Sequence, residues 1–306
     1  MHLGSHTGEF AALLTTVFWT ITALSFETSS KRIGSMHLNL LRLAFALVLL
    51  SLFSYFRRGM LLPVDASCHQ WIWLCLSGIV GFVIGDYCLF QAFIIIGARV
   101  AMLVMTMAPI IAAVTGWYFL GDSISSLGIL GMLVTVFGIG LVIFTRVPAT
   151  AGLNKSTQRM KLGLPMKGLV LALIAAMGQG VGLVISKHGM QGYDPFSSAQ
   201  IRVTAGFIGF AILFTVLRKW HELPGSLRDR KAMAWLSVGT VFGPFLGVSF
   251  SMIAVQHTNA GIAQTIMSLV PVIIIPPTIL LTGEKPKLKE IIGAVVAVAG
   301  VSLFFL

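Results

Sequence analysis

Apolar runs of about twenty residues, the length that crosses a bilayer as a helix, alternate along this chain with short polar links. The pattern predicts spans at 9–29, 35–56, 70–93, 98–120, 125–145, 167–187, 195–217, 232–255, 260–282 and 288–306. None shows the strict alternation of a barrel strand. Backbone groups in lipid must bond within their own segment, so the runs predict helices rather than loops.

The first five segments then recur. Ala98, Ala101, Met105, Pro109, Gly121, Gly131 and Gly138 reappear 162 positions later as Ala260, Ala263, Met267, Pro271, Gly283, Gly293 and Gly300. Nearer the start the offset is 160, so Arg42 matches Arg202. Five crossings are an odd number, so a second copy enters the membrane upside down. The expected fold is an all-α membrane protein of ten transmembrane helices in two inverted five-helix repeats, a build used by many secondary transporters. The expected divisions are 1–146, a basic linker 147–166, and 167–306.

Composition agrees with that class. Of the 306 residues, 57% are hydrophobic and 10% charged, against about 25% charged in a soluble domain; mean hydropathy is +0.93. Residues 1–8 carry no Lys or Arg, so the first span is expected to remain in the mature protein rather than act as a signal peptide. Cys68, Cys75 and Cys88 form no CxxC pair and no disulfide framework.

The net charge of +11 comes from Lys and Arg scattered through the links. There is no basic helix and no aromatic-interleaved patch, so nucleic acid is not an expected partner. Sixteen Lys and Arg fall in the odd-numbered links and three (Arg57, Arg58, Lys187) in the even ones. By the positive-inside rule the odd links face the cytoplasm and the termini face outward.

Ionisable residues inside the spans are few, and each is a candidate for function. Asp86 lies in span three between Gly85 and Tyr87, and its repeat partner is Val248. It reads either as an acid that ties neighbouring helices or as a proton or substrate-amine site. Arg42 and Arg202 stand seven residues inside spans two and seven, roughly 10 Å deep. They read either as snorkelling side chains or as contacts for a carboxylate or phosphate, which suit the guanidinium fork. Trp19, Gln91, Gln179, Gln264 and Ser268 are candidate cavity-lining residues, with Gln264 and Ser268 one helical turn apart. Pro109 and Pro271, symmetric partners in the middle of spans four and nine, are candidate hinges, because each removes a helix hydrogen bond. Lys187 is expected to reach for water at the end of span six. Glycine stripes at Gly81/Gly85 and Gly239/Gly243/Gly247 read as close helix packing or as a sliding surface. The seven His are dispersed, and no HExxH, P-loop or Gly-x-Ser-x-Gly motif occurs. No catalytic residue, metal or cofactor is therefore predicted.

The ordered set of features, present twice, resembles the drug/metabolite transporter superfamily, specifically its EamA-type members. It comprises Pro109 and Pro271, Gly121-Asp122 and Gly283-Glu284, and Gly131/Gly138 and Gly293/Gly300, with Trp19 and Arg42. The resemblance implies export or exchange of small metabolites such as amino acids, a permease rather than an enzyme, and a multi-pass protein of the cell's inner membrane. It also implies cytoplasmic termini, opposite to the charge count. The alternatives are an exporter of lipid-linked substrates or drugs, and, from another class, an intramembrane lipid-modifying enzyme. Such an enzyme needs acids, bases or metal ligands clustered near one interface, where this chain disperses them. A small molecule and the lipid bilayer are the expected partners; monomer and homodimer are both open.

Overall fold

The computed structural model describes residues 6–146, 166–273, 276–277 and 288–303; most of the expected linker 147–166 and the Gly283-Glu284 pair lie outside them. All regular elements among the described residues are helical. The first repeat contains α1 (Thr7–Ile33), α2 (Ser35–Arg58), α3 (Cys68–Gly78), a π-helical segment π1 (Ile79–Asp86), α4 (Tyr87–Met105), α5 (Ala108–Leu120) and α6 (Ser126–Arg146). The second contains α7 (Met166–Met190), α8 (Pro195–Val216), a short α9 (Leu223–Arg228), α10 (Arg230–Thr240), π2 (Val241–Gly247), α11 (Val248–His257), α12 (Ala260–Met267), α13 (Val270–Ile273) and α14 (Leu288–Ser302).

Six helical stretches are long and apolar enough to cross a membrane, at Thr7–Ser30, Ser35–Arg58, Cys68–Leu89, Met166–Met190, Pro195–Val216 and Arg230–His257. Ala108–Leu120, Ser126–Leu141 and Ile291–Ser302 are shorter apolar helices. The expected span 98–120 is not one helix. α4 runs on to Met105 through the expected link at 94–97, and the break falls at Thr106–Met107. The second repeat breaks at the equivalent Ser268–Leu269, and also at Thr258–Asn259. Pro109 and Pro271 therefore do not kink the middle of a helix. Each is the second residue of a new one, where a missing N–H costs nothing.

Boundaries follow local chemistry. Gly34 (φ 79°) separates α1 from α2, and Gly121 (φ 67°) ends α5; both need the left-handed region that glycine enters freely. Ser67 caps α3 through a capping box with Gln70. Asp229, its repeat partner 162 positions on, caps α10 by accepting the Ala232 N–H at 3.0 Å. The basic link at 218–231 is folded rather than open, with a 3-10 turn at Trp220–Glu222 followed by α9.

Each repeat packs its first helix on the other repeat's third span: α1 on α10–π2–α11, and α7 on α3–π1–α4. The hydroxyls of α1 satisfy themselves on carbonyls, as buried polar groups in lipid must. Thr16 donates to Ile266 O at 3.0 Å, and Ser29 to Ala232 O at 3.0 Å, tying α1 to the second repeat. The equivalent helices α6 and α14 run antiparallel. A Cβ on Gly138 would meet the Ala297 amide and the Gly293 carbonyl, and one on Gly300 would meet Thr135 and the Gly131 carbonyl. Thr135 donates to the carbonyl of Ala297, its own repeat partner, at 3.4 Å. The core centres on α2, α8 and α12, with Leu43, Leu50, Phe210, Phe214 and Ile266 buried. Trp117, Tyr118, Phe119, Phe137 and Ile212 face outward, as a lipid-facing belt does.

Candidate functional site

Four of the sequence-selected residues meet at π1. A helix of this kind, with i→i+5 bonds, is rare and marks functional sites disproportionately. Asp86, its last residue, is 7% exposed and forms an ion pair with Arg42 of α2, itself 8% exposed. The second carboxylate oxygen accepts from Gln179 Nε2 of α7 at 3.0 Å, and the same amide lies 3.4 Å from the Gly81 carbonyl. Arg202 of α8 is 6% exposed and reaches the same segment from the other repeat. Its guanidinium lies over the Phe82 ring, 5.3 Å from the centroid, with Nη1 3.5 Å from Met252 Sδ. Arg42 stacks similarly on Phe26 at 5.5 Å.

Close backbone approach makes this possible. A Cβ on Gly178 would lie 2.9 Å from both Gly85 Cα and the Val80 carbonyl, so α7 touches π1 backbone to backbone. A Cβ on Gly78 would lie 2.4 Å from the Arg202 carbonyl, which fixes where α8 presents its arginine. Arg42 and Arg202 each start about 10 Å inside opposite ends of the bundle and bracket π1. Neither snorkels to a surface; both are buried.

A second polar cluster closes one end. Lys187 does not reach for water: its ammonium donates to both oxygens of Asp122 at 2.9 Å and to the Thr258 carbonyl at 3.2 Å. Asp122 also accepts the Ala260 N–H at 3.3 Å, and the Thr258 hydroxyl donates to Glu9 at 2.8 Å. α1, α5, α7, α11 and α12 are thereby joined across the repeats. Arg57 pairs with Asp194 at 2.7 Å at this same end. Tyr193 and Arg58 hydrogen-bond the exposed Asp65 carboxyl there and, outweighing its partial desolvation, hold it below the usual carboxylate range. At the opposite end Arg32 pairs with Asp229 at 2.7 Å, and His37 lies 3.5 Å from Glu222. These cross-link contacts join even links with even and odd with odd, as expected of links that alternate between two faces.

The other sequence candidates lie elsewhere. Trp19 is half-buried against π2, where a Cβ on Gly247 would come 2.7 Å from its indole nitrogen. Gln264 is buried on α12, and Ser268 donates to its carbonyl at 2.8 Å, serving the helix end. Gln91 is half-buried on α4. No hydrogen bond among the described residues joins Gln91, Gln264 or Ser268 to the Asp86 cluster. The Asp122–Lys187 pair went unselected in the sequence; the Gly-acid pair closing span four was its one signal. No group of three His, Cys, Asp or Glu that could hold a metal occurs among the described residues.

Two stretches, residues 6–144 and 166–306, each match the model of the EamA-like transporter family. A protein of Clostridium kluyveri described as an uncharacterized transporter is 23% identical over 184 residues, 60% of this chain. The match spans 56% of that relative's length. A protein of known crystal structure, 15% identical, has the same fold, with a TM-score of 0.73 over 97% of this chain and 95% of the other.

Proposed function

The chain belongs to the EamA-like transporter family, and on that footing we propose that it is a secondary transporter exporting small organic metabolites, amino acids among them. The working units are two inverted five-helix repeats, residues 1–146 and 167–306, joined by the basic linker 147–166. They alternate access to a site between them in the cell's inner membrane. The observation that carries this reading is the make-up of the buried cluster at π1. Arg42 and Asp86 come from the first repeat, and Gln179 and Arg202 from the second. A site shared across the repeat interface changes whenever one repeat rocks against the other, which is what alternating access requires. The antiparallel α6–α14 contact supports the inverted relation.

In this reading Trp19, Gln91, Gln264 and Ser268 line the path at a distance from the cluster. Pro109 and Pro271 act as hinges by starting half-helices after symmetric breaks. The Asp122–Lys187 network is the closed gate at one end. No enzymatic role is proposed. Untargeted metabolite profiling, inside and outside cells with and without the protein, tests the function. Accumulation of a defined set of small organic compounds outside only the expressing cells is expected. Identical profiles would overturn it.

A further inference from the structure

We infer that Arg202 is the binding point for a single carboxylate carried by the transported molecule; the inference rests on the transport reading above. The repeat itself supplies the argument. Arg42 and Arg202 are equivalent positions, and Arg42 shows what the position does when satisfied: it holds the carboxylate of Asp86. The residue equivalent to Asp86 in the second repeat is Val248, buried and without charge. Arg202 therefore occupies an arginine position whose equivalent of Asp86 is an apolar residue. Its contacts are of a different kind from those of Arg42. The sulfur of Met252, one turn beyond Val248, and the face of Phe82 are its neighbours, and no carboxylate lies within 4.0 Å of it among the described residues, whereas Arg42 is ion-paired.

Charge decides the class of ligand. The described cluster holds two guanidinium groups and one carboxylate, and Asp86 is already engaged by Arg42 and Gln179. Arg202 feels Asp86 electrostatically but shares it with Arg42 and has no acid of its own in contact, which is costly for a buried cation, and one incoming carboxylate balances it. A carboxylate also matches the planar fork with two parallel hydrogen bonds. A phosphate dianion would leave an excess negative charge in the same dry space. Glycine at 81 keeps one side of the fork open, since a Cβ there would already touch Arg202 Nη2 at 3.4 Å.

The test uses the full-length protein in liposomes loaded with an aqueous metabolite extract of the expressing cells, with released compounds identified by mass spectrometry. The released compounds are expected to carry one carboxylate, with phosphate esters, amines that lack a carboxylate, and neutral sugars retained. Arg202→Lys keeps the charge but loses the fork, and is expected to slow release about tenfold at low substrate. Val248→Asp supplies the missing acid from within. It is expected to abolish release while elution and melting temperature stay at or above wild type, whereas Val248→Asn keeps release. Release of compounds that lack a carboxylate, whether cationic, neutral or phosphorylated, would overturn the carboxylate assignment while leaving transport intact, as would carboxylate release undiminished in Val248→Asp. Absence of protein-dependent release of any compound would overturn transport itself, and this inference with it.

Discussion

The two π-helical segments stand at the same place in the two repeats, yet only one is polar. π1 (Ile79–Asp86) and π2 (Val241–Gly247) begin 162 residues apart, and Gly81 and Gly85 of the first correspond to Gly243 and Gly247 of the second. On π2 the glycines receive side chains: Thr22 meets Gly243, and the Trp19 ring meets Gly247. On π1 glycine meets glycine, Gly182 against Gly81 and Gly178 against Gly85. The closer approach lets Gln179, the repeat partner of Trp19, reach Asp86. Duplication has kept the backbone irregularity in both copies and left the charge in one. In the proposed transporter, a site at the interface of two repeats needs building only once, while the bending it would depend on is required of both.

If that division is right, the two segments respond unequally to the same change. Asp86→Ala removes the carboxylate of the buried ion pair with Arg42 and is expected to cost about 3–5 kcal/mol. Val248→Ala at the equivalent place should cost about 1 kcal/mol. Thermal unfolding in detergent compares them, and equal losses would dissolve the distinction between a polar and an apolar segment.

The glycines give the next largest contrast. Gly178→Ala sets a Cβ against backbone at 2.9 Å, which can yield only by moving a helix, and an overpacking cost of about 1–3 kcal/mol is expected. Gly239→Ala meets the Phe26 ring, a side chain that can give by a small shift where backbone cannot, so a smaller loss of about 1 kcal/mol is expected. A greater loss of melting temperature for Gly239→Ala would reverse the ordering.

The two ends of the molecule also differ. At one end Lys187 pairs with Asp122; in the sequence their repeat partners are Glu27 and Glu284, both acids. The Lys and Arg excess of the odd-numbered links in the sequence would, by the positive-inside rule, place the other end in the cytoplasm, against the orientation implied by the family resemblance. Cys68, exposed at the start of α3, then faces outward. An impermeant maleimide is expected to label wild type but not Cys68→Ser in intact cells. Labelling that requires permeabilised cells would invert the orientation, in line with the cytoplasmic termini implied by the family resemblance.

The smallest contrast concerns the two third-span caps. Ser67 caps α3 without charge. Asp229 caps α10 as a carboxylate held below the usual range, first by the Ala232 N–H and then by Arg32. Because its folded pKa is depressed, Asp229 contributes stability above the unfolded value of about 3.9. That contribution is lost as pH falls through the lower folded value. Amide exchange at Ala232 should quicken in that acid window and stay unchanged at Gln70. Asp229→Asn, which retains the cap, should remove the step; equal acceleration at both amides would show global unfolding instead.

Much of this was legible in one dimension. Arg42, Asp86, Gln179 and Arg202 announce themselves because an ionisable or amide group inside an apolar run is costly, so its presence needs a reason. The glycine stripes announce themselves by spacing. Pro109 and Pro271 were visible as symmetric irregularities, but their role was not. A proline reads alike in a kink and in the first turn of a new helix, and the break lies two residues earlier, at Thr106–Met107 and Ser268–Leu269, where no residue type marks it. Lys187 near a helix end reads as a snorkelling cation, since nothing in its own neighbourhood announces an acid 65 residues away.

What the sequence determined by itself is the class, the duplication and the short list of buried polar residues, because each follows from what lipid forbids and from comparing the chain with itself. The tertiary structure alone decided which of those residues meet. Trp19, Gln264 and Ser268 carry the same polar signal as Gln179, yet only Gln179 reaches Asp86. The reason is that helix direction, π-helical widening and glycine-on-glycine contact together set side-chain position to within a hydrogen-bond length. Each of those depends on packing between helices far apart in the chain.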